Sequence, residues 1–169
     1  MVSERALRRW IGDVRNGRRD PRALVEALQR MPFDHVGVAR LDTHRRLRRG
    51  VPEVIFCEGK TPAHLIRIAR RMFDAKELVL LTRLDAPTYE TIHQALPQLR
   101  YEPLARLAYA QTRRALTRKG LVVVVTGGTS DLPIAEEAAC TLELLGSRGA
   151  RLYDVGVAGV HRLLDQWRL

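Results

Sequence analysis

The stretch that most constrains the fold is residues 121–161, in which apolar runs alternate with glycine-rich turns. Leu121–Val125 is an unbroken run of aliphatic residues, and such a run is typical of a strand buried on both faces of a parallel sheet. A glycine-rich turn follows at 126–131. Ser130 or Asp131 is the expected N-cap of the next helix, because both carry a side-chain oxygen that can accept from the first turn.

The helix after this turn has Pro133 in its first turn and is expected to end at Gly146. Leu152–Val155 is predicted to form the next strand, Gly156 a second glycine turn, and His161 the start of another helix. Connections of this kind are right-handed and build parallel sheets. Both glycine loops are therefore expected at the carboxyl edge of the sheet, where open α/β folds bind ligands.

The first glycine loop is a candidate phosphate site. It would place the backbone N–H groups of Gly128, Thr129 and Ser130 at a helix N-terminus, which favours an anion. A tight turn that uses glycine for its backbone freedom, followed by an ordinary N-cap, would leave the same pattern. The succession of two such loops favours the phosphate interpretation.

Three segments of the chain resemble a known family. They are TGGTSDLPIAEEA at 126–138, YDVGVAGVHRLL at 153–164 and LDTHRRLRRGVPEVIFCEGKTP at 41–62. Together they resemble the LarB family, the pyridinium-3,5-biscarboxylic acid mononucleotide synthases of nickel-pincer nucleotide cofactor synthesis. The resemblance covers roughly residues 34–169. The C-terminal domain of that family is similar to the PurE or AIR carboxylase domain of purine synthesis.

The resemblance implies an activity. Family members take nicotinic acid adenine dinucleotide (deamido-NAD) and CO2 or bicarbonate, carboxylate the pyridinium ring at C5 and split the pyrophosphate to release AMP. A transient adduct between an enzyme thiolate and the ring would make that ring nucleophilic. The resemblance implies no tightly bound cofactor and no metal ligands, although a divalent cation could assist.

The resemblance also implies roles for residues of the two glycine loops. Gly128, Thr129, Ser130 and Asp131 would cradle the ribose phosphate, and Asp131 could instead take a hydroxyl or only cap its helix. His161 would transfer a proton or position CO2, because imidazole titrates near neutral pH; its other interpretation is a helix-terminal residue with one backbone contact. Further substrate-binding candidates on the second loop are Asp154, Gly156 and Arg162.

A second set of polar residues flanks two strand ends in the N-terminal part of the chain. Guanidinium groups bind carboxylates or phosphates in a bidentate manner, and a lysine beside a glycine turn adds a point charge. Spacing alone favours surface ion pairs, which stabilise little. The resemblance makes substrate binding an equal alternative. The set comprises Asp42, Arg45, Arg48, Glu53 and Lys60.

The expected fold class is α/β, with a small N-terminal α/β region followed by the first half of a flavodoxin-like, PurE-like parallel sheet. The expected parts are a helical lead at 1–33, a small α/β domain at 34–100, a linker helix at 101–119 and a partial PurE-like domain at 120–169. Neither cysteine falls where the family's nucleophile lies. The chain is therefore expected to be a fragment without synthase activity of its own, and its two-stranded sheet is expected to be partly bare.

Composition limits the class of partner. The net charge is +10, and only three of the 29 basic residues are lysines. No aromatic residues interleave the arginines, so we interpret the charge as a solvated face or an attractor of anionic substrate rather than a nucleic-acid site. No apolar run reaches the ~20 residues of a membrane span, so we expect a cytoplasmic chain with no membrane partner. Cys57 and Cys140 lack metal-ligand spacing and are interpreted as small hydrophobes.

The expected partners are therefore deamido-NAD and further copies of the chain, since family members form homo-oligomers. Two rival functions remain open. One is AIR carboxylase chemistry, inferred from the half-domain alone and disfavoured by the N-terminal signature. The other is a non-catalytic nucleotide-binding or regulatory protein, favoured by the missing nucleophile.

Overall fold

The computed structural model describes residues 4–29, 33–35, 37, 40–42, 45, 49–110 and 120–165. It has an α/β fold, with six α-helices and eight strands in those ranges. The strands form a two-stranded antiparallel hairpin, a four-stranded mixed sheet and a two-stranded parallel sheet.

Two helices begin the described chain. Helix α1 spans Glu4–Arg15 and helix α2 spans Pro21–Gln29. Asp20 caps α2, because its Oδ1 accepts from the backbone N–H of Arg22 at 2.8 Å. Both helices are amphipathic, but Ile11 and Val25 remain half exposed. The pair therefore forms a hairpin whose apolar side is only partly covered.

The next described segment forms a β-hairpin. Strand β1 (Phe33–His35) pairs antiparallel with strand β2 (Arg40–Asp42). Gly37 lies between them with φ 79°, a left-handed conformation that turns the chain.

The central sheet has the order β3-β4-β6-β5. Strand β3 (Ile55–Phe56) is parallel to β4 (Val79–Thr82), as expected for a strand–helix–strand unit. Helix α3 (Pro62–Asp74) connects them, and helix α4 (Ala86–Ala95) follows β4.

Both of these helices begin at a side-chain cap followed by a proline. Thr61 Oγ1 accepts from His64 N at 3.3 Å, and Asp85 Oδ1 accepts from Thr88 N at 2.8 Å. The proline in the first turn removes a donor that would have no partner there. The cap-and-proline pattern therefore accounts for the start of both helices.

The prediction of a linker helix over 101–119 is wrong for residues 101–110. Strand β5 (Arg100–Glu102) and strand β6 (Leu107–Ala110) form an antiparallel hairpin there, and β6 also pairs with β4. The helical spacing of apolar residues in this segment is overridden because β4 offers an unpaired edge and buried neighbours. Residues 111–119 lie outside the described residues.

The main hydrophobic core lies between the central sheet and helices α3 and α4. Leu65, Ala69 and Met72 on α3 are fully buried there. Val79 and Leu81 of β4 meet them from the sheet. Alternate side chains of a strand point to opposite faces, so Leu80 faces the other side, where it forms a second cluster with Ala105 and Leu107.

The C-terminal unit repeats the strand–loop–helix order that the sequence predicts. Strand β7 (Leu121–Val125) leads through a 3-10 turn at Thr129–Asp131 into helix α5 (Leu132–Leu144). Strand β8 (Arg148–Leu152) runs parallel to β7 and ends in a second 3-10 turn, Val157–Gly159. Helix α6, Val160–Asp165, follows.

Strand β8 lies four residues earlier than the predicted strand at 152–155. Its register pairs Leu121 with Arg148 and Val125 with Leu152. Arginine is tolerated at position 151 because its guanidinium leaves the sheet and binds Glu136 and Glu143 on α5. The two arginines at 148 and 151 therefore hide a strand that a search for continuous apolar runs misses.

One face of the parallel sheet is bare, as expected for two strands. Leu121, Val123 and Val125 point to the same face by strand alternation and are 56%, 48% and 54% exposed. Helix α5 packs on the other face, where Val124 is half-buried and Ala135 and Ala139 are buried.

Helix α5 also connects the two units. Cys140 and Leu144 pack against the second cluster of the central sheet, around Leu80 and Leu107. The Nε of Arg83, directly after β4, lies 2.9 Å from Glu137 Oε2 on α5. The same helix thus covers the parallel sheet and the far face of the central sheet.

Candidate functional site

The end of β7 is tied to the end of β8 through Thr126. Thr126 is buried, its N–H donates to Leu152 O at 3.1 Å, and its carbonyl accepts from Val155 N at 3.0 Å. Its Oγ1 also accepts from the backbone N–H of Asp154 at 3.2 Å. Sequence reasoning did not single out Thr126, although a threonine between a strand and a glycine pair is the available signal.

The two glycine loops touch each other directly. Gly156 N donates to Gly127 O at 3.1 Å. A Cβ at Gly156 would lie 2.6 Å from that same oxygen, closer than any side chain tolerates. Glycine at 156 is therefore required by the approach of the other loop, and the predicted pairing of the loops has a steric basis.

Asp131 closes the first loop upon itself. Its Oδ2 accepts from Gly128 N at 3.1 Å, and its own N–H donates to Gly128 O at 3.2 Å. The Gly128 amide is thus engaged by a carboxylate in this structure. Thr129 and Ser130 are exposed and begin the 3-10 turn, where the first N–H groups of a helix lack helical acceptors. These two amides are the donors that an anion could reach at the N-terminus of α5.

The second loop holds an ion pair. Asp154 has φ 58°, a left-handed conformation that aspartate adopts more readily than most residues. Its Oδ2 lies 2.6 Å from Nη1 of Arg162 on α6. Arg162 and Asp154 are half exposed, so solvent weakens the attraction and a ligand can compete for either group.

A cavity of about 390 Å³ opens beside this ion pair. Guanidinium groups from two elements face it, together with two carboxylates, so it can bind a ligand that carries both anionic groups and hydroxyls. Its lining consists of Arg151, Leu152, Tyr153, Asp154, Val155, Arg162 and Asp165.

An ion-pair network fixes the wall of this cavity on the side of β8. Arg151 Nε lies 3.1 and 3.2 Å from the two carboxylate oxygens of Glu136, and its Nη1 lies 2.5 Å from Glu143 Oε1. These carboxylates hold the pKa of Arg151 above its ordinary value. Tyr153 donates to Glu136 Oε1 at 3.0 Å, and partial burial raises the pKa of its phenol. Both side chains therefore stay protonated and oriented at neutral pH.

His161 lies one residue before Arg162 in the first turn of α6, and its side chain is exposed. It therefore shares the helix end with the Asp154–Arg162 ion pair. The position is compatible with proton transfer to a ligand in the loops, and equally with a solvated helix terminus.

The polar residues predicted in the N-terminal part lie elsewhere on the fold. Arg45 Nη1 is 3.8 Å from Glu53 Oε1, and the Nε of Arg45 is buried without a hydrogen-bond partner in the described structure. Lys60 Nζ donates to the carbonyl of Phe56 at 2.6 Å and so closes the turn after β3. Asp42 is half-buried at the end of β2. Arg48 lies outside the described residues.

Neither cysteine occupies a nucleophile's environment. Cys57 is buried at the end of β3, and burial raises the pKa of its thiol to about 12. Cys140 is half-buried on α5, and burial together with Glu136 raises its pKa. A reactive thiol needs a lowered pKa and access to solvent, so both cysteines have the character of packing residues.

Within the described ranges, no group of three or more His, Cys, Asp or Glu side chains is placed to hold a metal ion. Across those same residues, the helices are all too short or too polar to cross a lipid bilayer.

Comparison with known families identifies the type of domain that the N-terminal unit forms. Residues 33–113 match the LarB/PurE-like N-terminal domain. These residues therefore form a LarB-type N-terminal domain. The matched segment contains the hairpin β1–β2, the central sheet and helices α3 and α4. It also contains all five polar candidates of the N-terminal set, whereas the glycine loops follow it.

The chain is also similar to an uncharacterized protein of Methanocaldococcus jannaschii, with 33% identity over 135 aligned positions. The match covers 73% of this chain and 51% of that protein. The chain thus spans about half the length of the curated relative that it matches.

Proposed function

We propose that this chain is the nucleotide-binding part of an enzyme that carboxylates the pyridinium ring of deamido-NAD and releases AMP. The product would be pyridinium-3,5-biscarboxylic acid mononucleotide for nickel-pincer cofactor synthesis. One observation carries the proposal. A LarB-type domain precedes, in the same chain, two glycine loops whose backbones are joined at Gly127 and Gly156.

The loops suggest how the mononucleotide half of the substrate would bind. The free amides at Thr129 and Ser130 favour a phosphate at the N-terminus of α5. Arg162 would exchange its contact with Asp154 for a phosphate oxygen, and Asp154 would then accept from a ribose hydroxyl. Asp131 keeps the first loop closed through the Gly128 amide. His161 would face the ring side and move the proton that leaves C5 when the carboxyl group is added.

The thiol chemistry would require a nucleophile other than the two cysteines described above. Burial raises the pKa of Cys57 to about 12, and Cys140 lies on the α5 surface that packs against the central sheet. We therefore propose that the 169-residue chain binds deamido-NAD without turning it over. CO2 or bicarbonate would be the co-substrate of the complete reaction, deamido-NAD the partner ligand, and further copies of the chain the partner subunits.

Calorimetric titration of the purified chain with deamido-NAD tests the proposal. We expect saturable binding that weakens by about tenfold or more in Arg162→Gln, because a charge-assisted hydrogen bond to the phosphate is lost. Arg22→Gln is the matched control, since Arg22 is an exposed arginine on α2, away from the loops. Equal weakening in the control, or no binding to the wild-type chain, contradicts the proposed site.

Turnover is followed separately, by incorporation of labelled bicarbonate and release of AMP. Binding without incorporation supports the proposed division of labour. If the 169-residue chain incorporates bicarbonate, and the Cys57→Ser/Cys140→Ser double variant still does so, the reaction uses a different nucleophile or no covalent adduct.

A second candidate function is a non-catalytic nucleotide-binding or regulatory protein. The raised pKa values of both thiols favour it, because such a protein needs no nucleophile. AIR carboxylase chemistry is less favoured, since the LarB-type domain has no place in a simple mutase. Incorporation of bicarbonate into the pyridinium ring excludes the regulatory role, and failure of aminoimidazole ribonucleotide to compete with deamido-NAD excludes the mutase role.

A further inference from the structure

A cavity of about 530 Å³ lies on the outer surface of the LarB-type domain, between helices α3 and α4. Its sequence span does not overlap the glycine loops, and no residue predicted for substrate binding takes part in it. Most of its exposed lining is apolar, and its volume is within the range of small-molecule sites. The lining residues are Ala63, Ile66, Arg67, Arg70, Arg71, Asp74 and Ala95.

The rim of the cavity concentrates positive charge on one helix. Arg67, Arg70 and Arg71 are at spacings of three and four residues, which brings their side chains to the same side of α3. Like charges at this spacing disfavour a helix. Arg71 lies in the last turn, where a cation interacts favourably with the helix dipole. Arg67 and Arg70 lie earlier on the helix and gain nothing comparable there.

Two of these guanidinium groups make no ion pair with any residue that the structure describes. They belong to Arg67 and Arg70, and both side chains are exposed. Among the described lining residues, Asp74 supplies the only carboxylate, beside three arginines. Gly37 leaves room for this arrangement, because a Cβ there would lie 3.1 Å from Arg67 Nη1.

The floor of the cavity has different chemistry. Ala63 and Ile66 contribute from α3, and Ala95 contributes from the end of α4. Ile66 is only partly buried against the main core, so its outer side is available to a ligand. An apolar floor beside a cationic rim suits a molecule with a flat apolar end and an anionic end. Arginine can bind the anionic end in a bidentate manner and can stack on the flat end.

We propose that this cavity binds a nucleoside diphosphate, with its phosphates on Arg67 and Arg70 and its base over Ile66. The site is independent of the proposed catalytic function, and a ligand there would act on the LarB-type domain and not in the glycine loops. The two phosphate groups would each contact one of these two guanidinium groups, whereas a single carboxylate ligand would engage only one of them.

Titration of the full chain with ADP at low ionic strength tests this site. We expect the wild-type chain to bind one ADP at this site. In the Arg67→Gln/Arg70→Gln double variant, this binding should be lost or its affinity lowered by about tenfold or more. Arg5→Gln/Arg22→Gln is the matched control, because it removes the same charge from exposed positions on α1 and α2. If that control lowers the affinity equally, ADP responds only to net charge and the site is refuted.

Two further comparisons separate this cavity from the glycine loops and define its ligand. Arg162→Gln should leave ADP binding to the cavity unchanged, and loss of all ADP binding in that variant would overturn the proposal. Pyrophosphate and adenosine should each bind more weakly than ADP; pyrophosphate binding as tightly as ADP would refute the role of the apolar floor.

A second variant guards against misfolding. Ala63 is exposed, and Ala63→Glu adds a carboxylate to the floor without removing an arginine. We expect it to weaken ADP binding as the double variant does, while circular dichroism shows an unchanged helix content. Unchanged ADP affinity in Ala63→Glu would place the nucleotide elsewhere.

Discussion

At the scale of single residues, Gly156 determines how closely the two glycine loops approach. Its backbone angles, φ −57° and ψ 153°, are open to any residue, so the requirement for glycine is steric. The obstacle is the carbonyl oxygen of Gly127, which a Cβ at 156 would meet at 2.6 Å. Because of this contact, one added methyl group at position 156 would be enough to push the two glycine loops of the candidate site apart.

The substitution Gly156→Ala is expected to lower the free energy of unfolding by about 1–3 kcal/mol, the usual cost of forcing an extra methyl group into a close-packed contact. Urea denaturation measures this change. Gly128→Ala is the control, since nothing lies within 4 Å of a Cβ at that position. Equal stability of the two variants would mean that the loops separate without cost.

Burial of Cys57 predicts an inert thiol. Because its pKa is raised from 9.0 to about 12, the thiolate fraction at mildly alkaline pH is lower than in the unfolded chain by two orders of magnitude or more. Alkylation by iodoacetamide, followed by mass spectrometry, should be on the order of a hundredfold slower in the native chain than in urea. The native rate should rise with pH up to about 12. Rapid native alkylation of Cys57 would contradict the described burial.

At the scale of secondary-structure elements, helix starts with strong caps are encoded most directly in the local sequence. Asp20-Pro21, Thr61-Pro62 and Asp85 each carry the information for a helix start in two or three adjacent residues. Strands β5 and β6 were missed because their structure depends on β4, which lies about 25 residues away in the sequence. Local spacing at 101–110 favours a helix, and only the pairing partner reverses that preference.

The caps of α3 and α4 offer a matched pair of predictions. Asp85→Ala should lower the stability of the chain by about 1 kcal/mol at neutral pH, because Thr88 N loses its acceptor. The hydrogen bonds from Thr88 lower the pKa of Asp85 below 3.8. A lowered folded-state pKa means that this contribution is present above about 3.8 and is lost as pH falls through the lower value.

Thr61→Ala is the control for this pH dependence. Its hydroxyl also accepts from the first turn of a helix, but it does not titrate. Its effect on stability, measured by chemical denaturation, should therefore stay constant where that of Asp85→Ala disappears. If both effects vanish together in acid, the loss reflects general unfolding and not the cap.

At the scale of the whole molecule, the bare face of the β7–β8 sheet is the largest departure from a closed fold. Leu121, Val123 and Val125 present a row of half-exposed aliphatic side chains. Such a surface should bind the dye ANS, and Val123→Thr/Val125→Thr should reduce the fluorescence gain by about half or more, since two of the three exposed side chains in this row become polar. Val25→Thr on α2 is the control, being equally exposed but isolated from this face. An equal reduction in that control would argue against the sheet as the binding surface.

The candidate site was predictable in part. The two glycine loops were expected at one sheet edge, because parallel strands place their carboxyl ends together, and the contact between Gly127 and Gly156 has that origin. The engagement of the Gly128 amide by Asp131, the Asp154–Arg162 ion pair and the role of Thr126 depend on side-chain geometry that spacing does not encode. The roles proposed for these residues remain predictions.

The packing of helix α5 has a consequence for synthesis on the ribosome. Leu80 and Leu107 belong to the N-terminal unit, yet the residues that cover them, Cys140 and Leu144, are translated more than 30 residues later. When the LarB-type domain emerges, this part of its sheet therefore lacks the cover that α5 later supplies. The second unit completes the protection of these side chains, and the order of translation fixes when that happens.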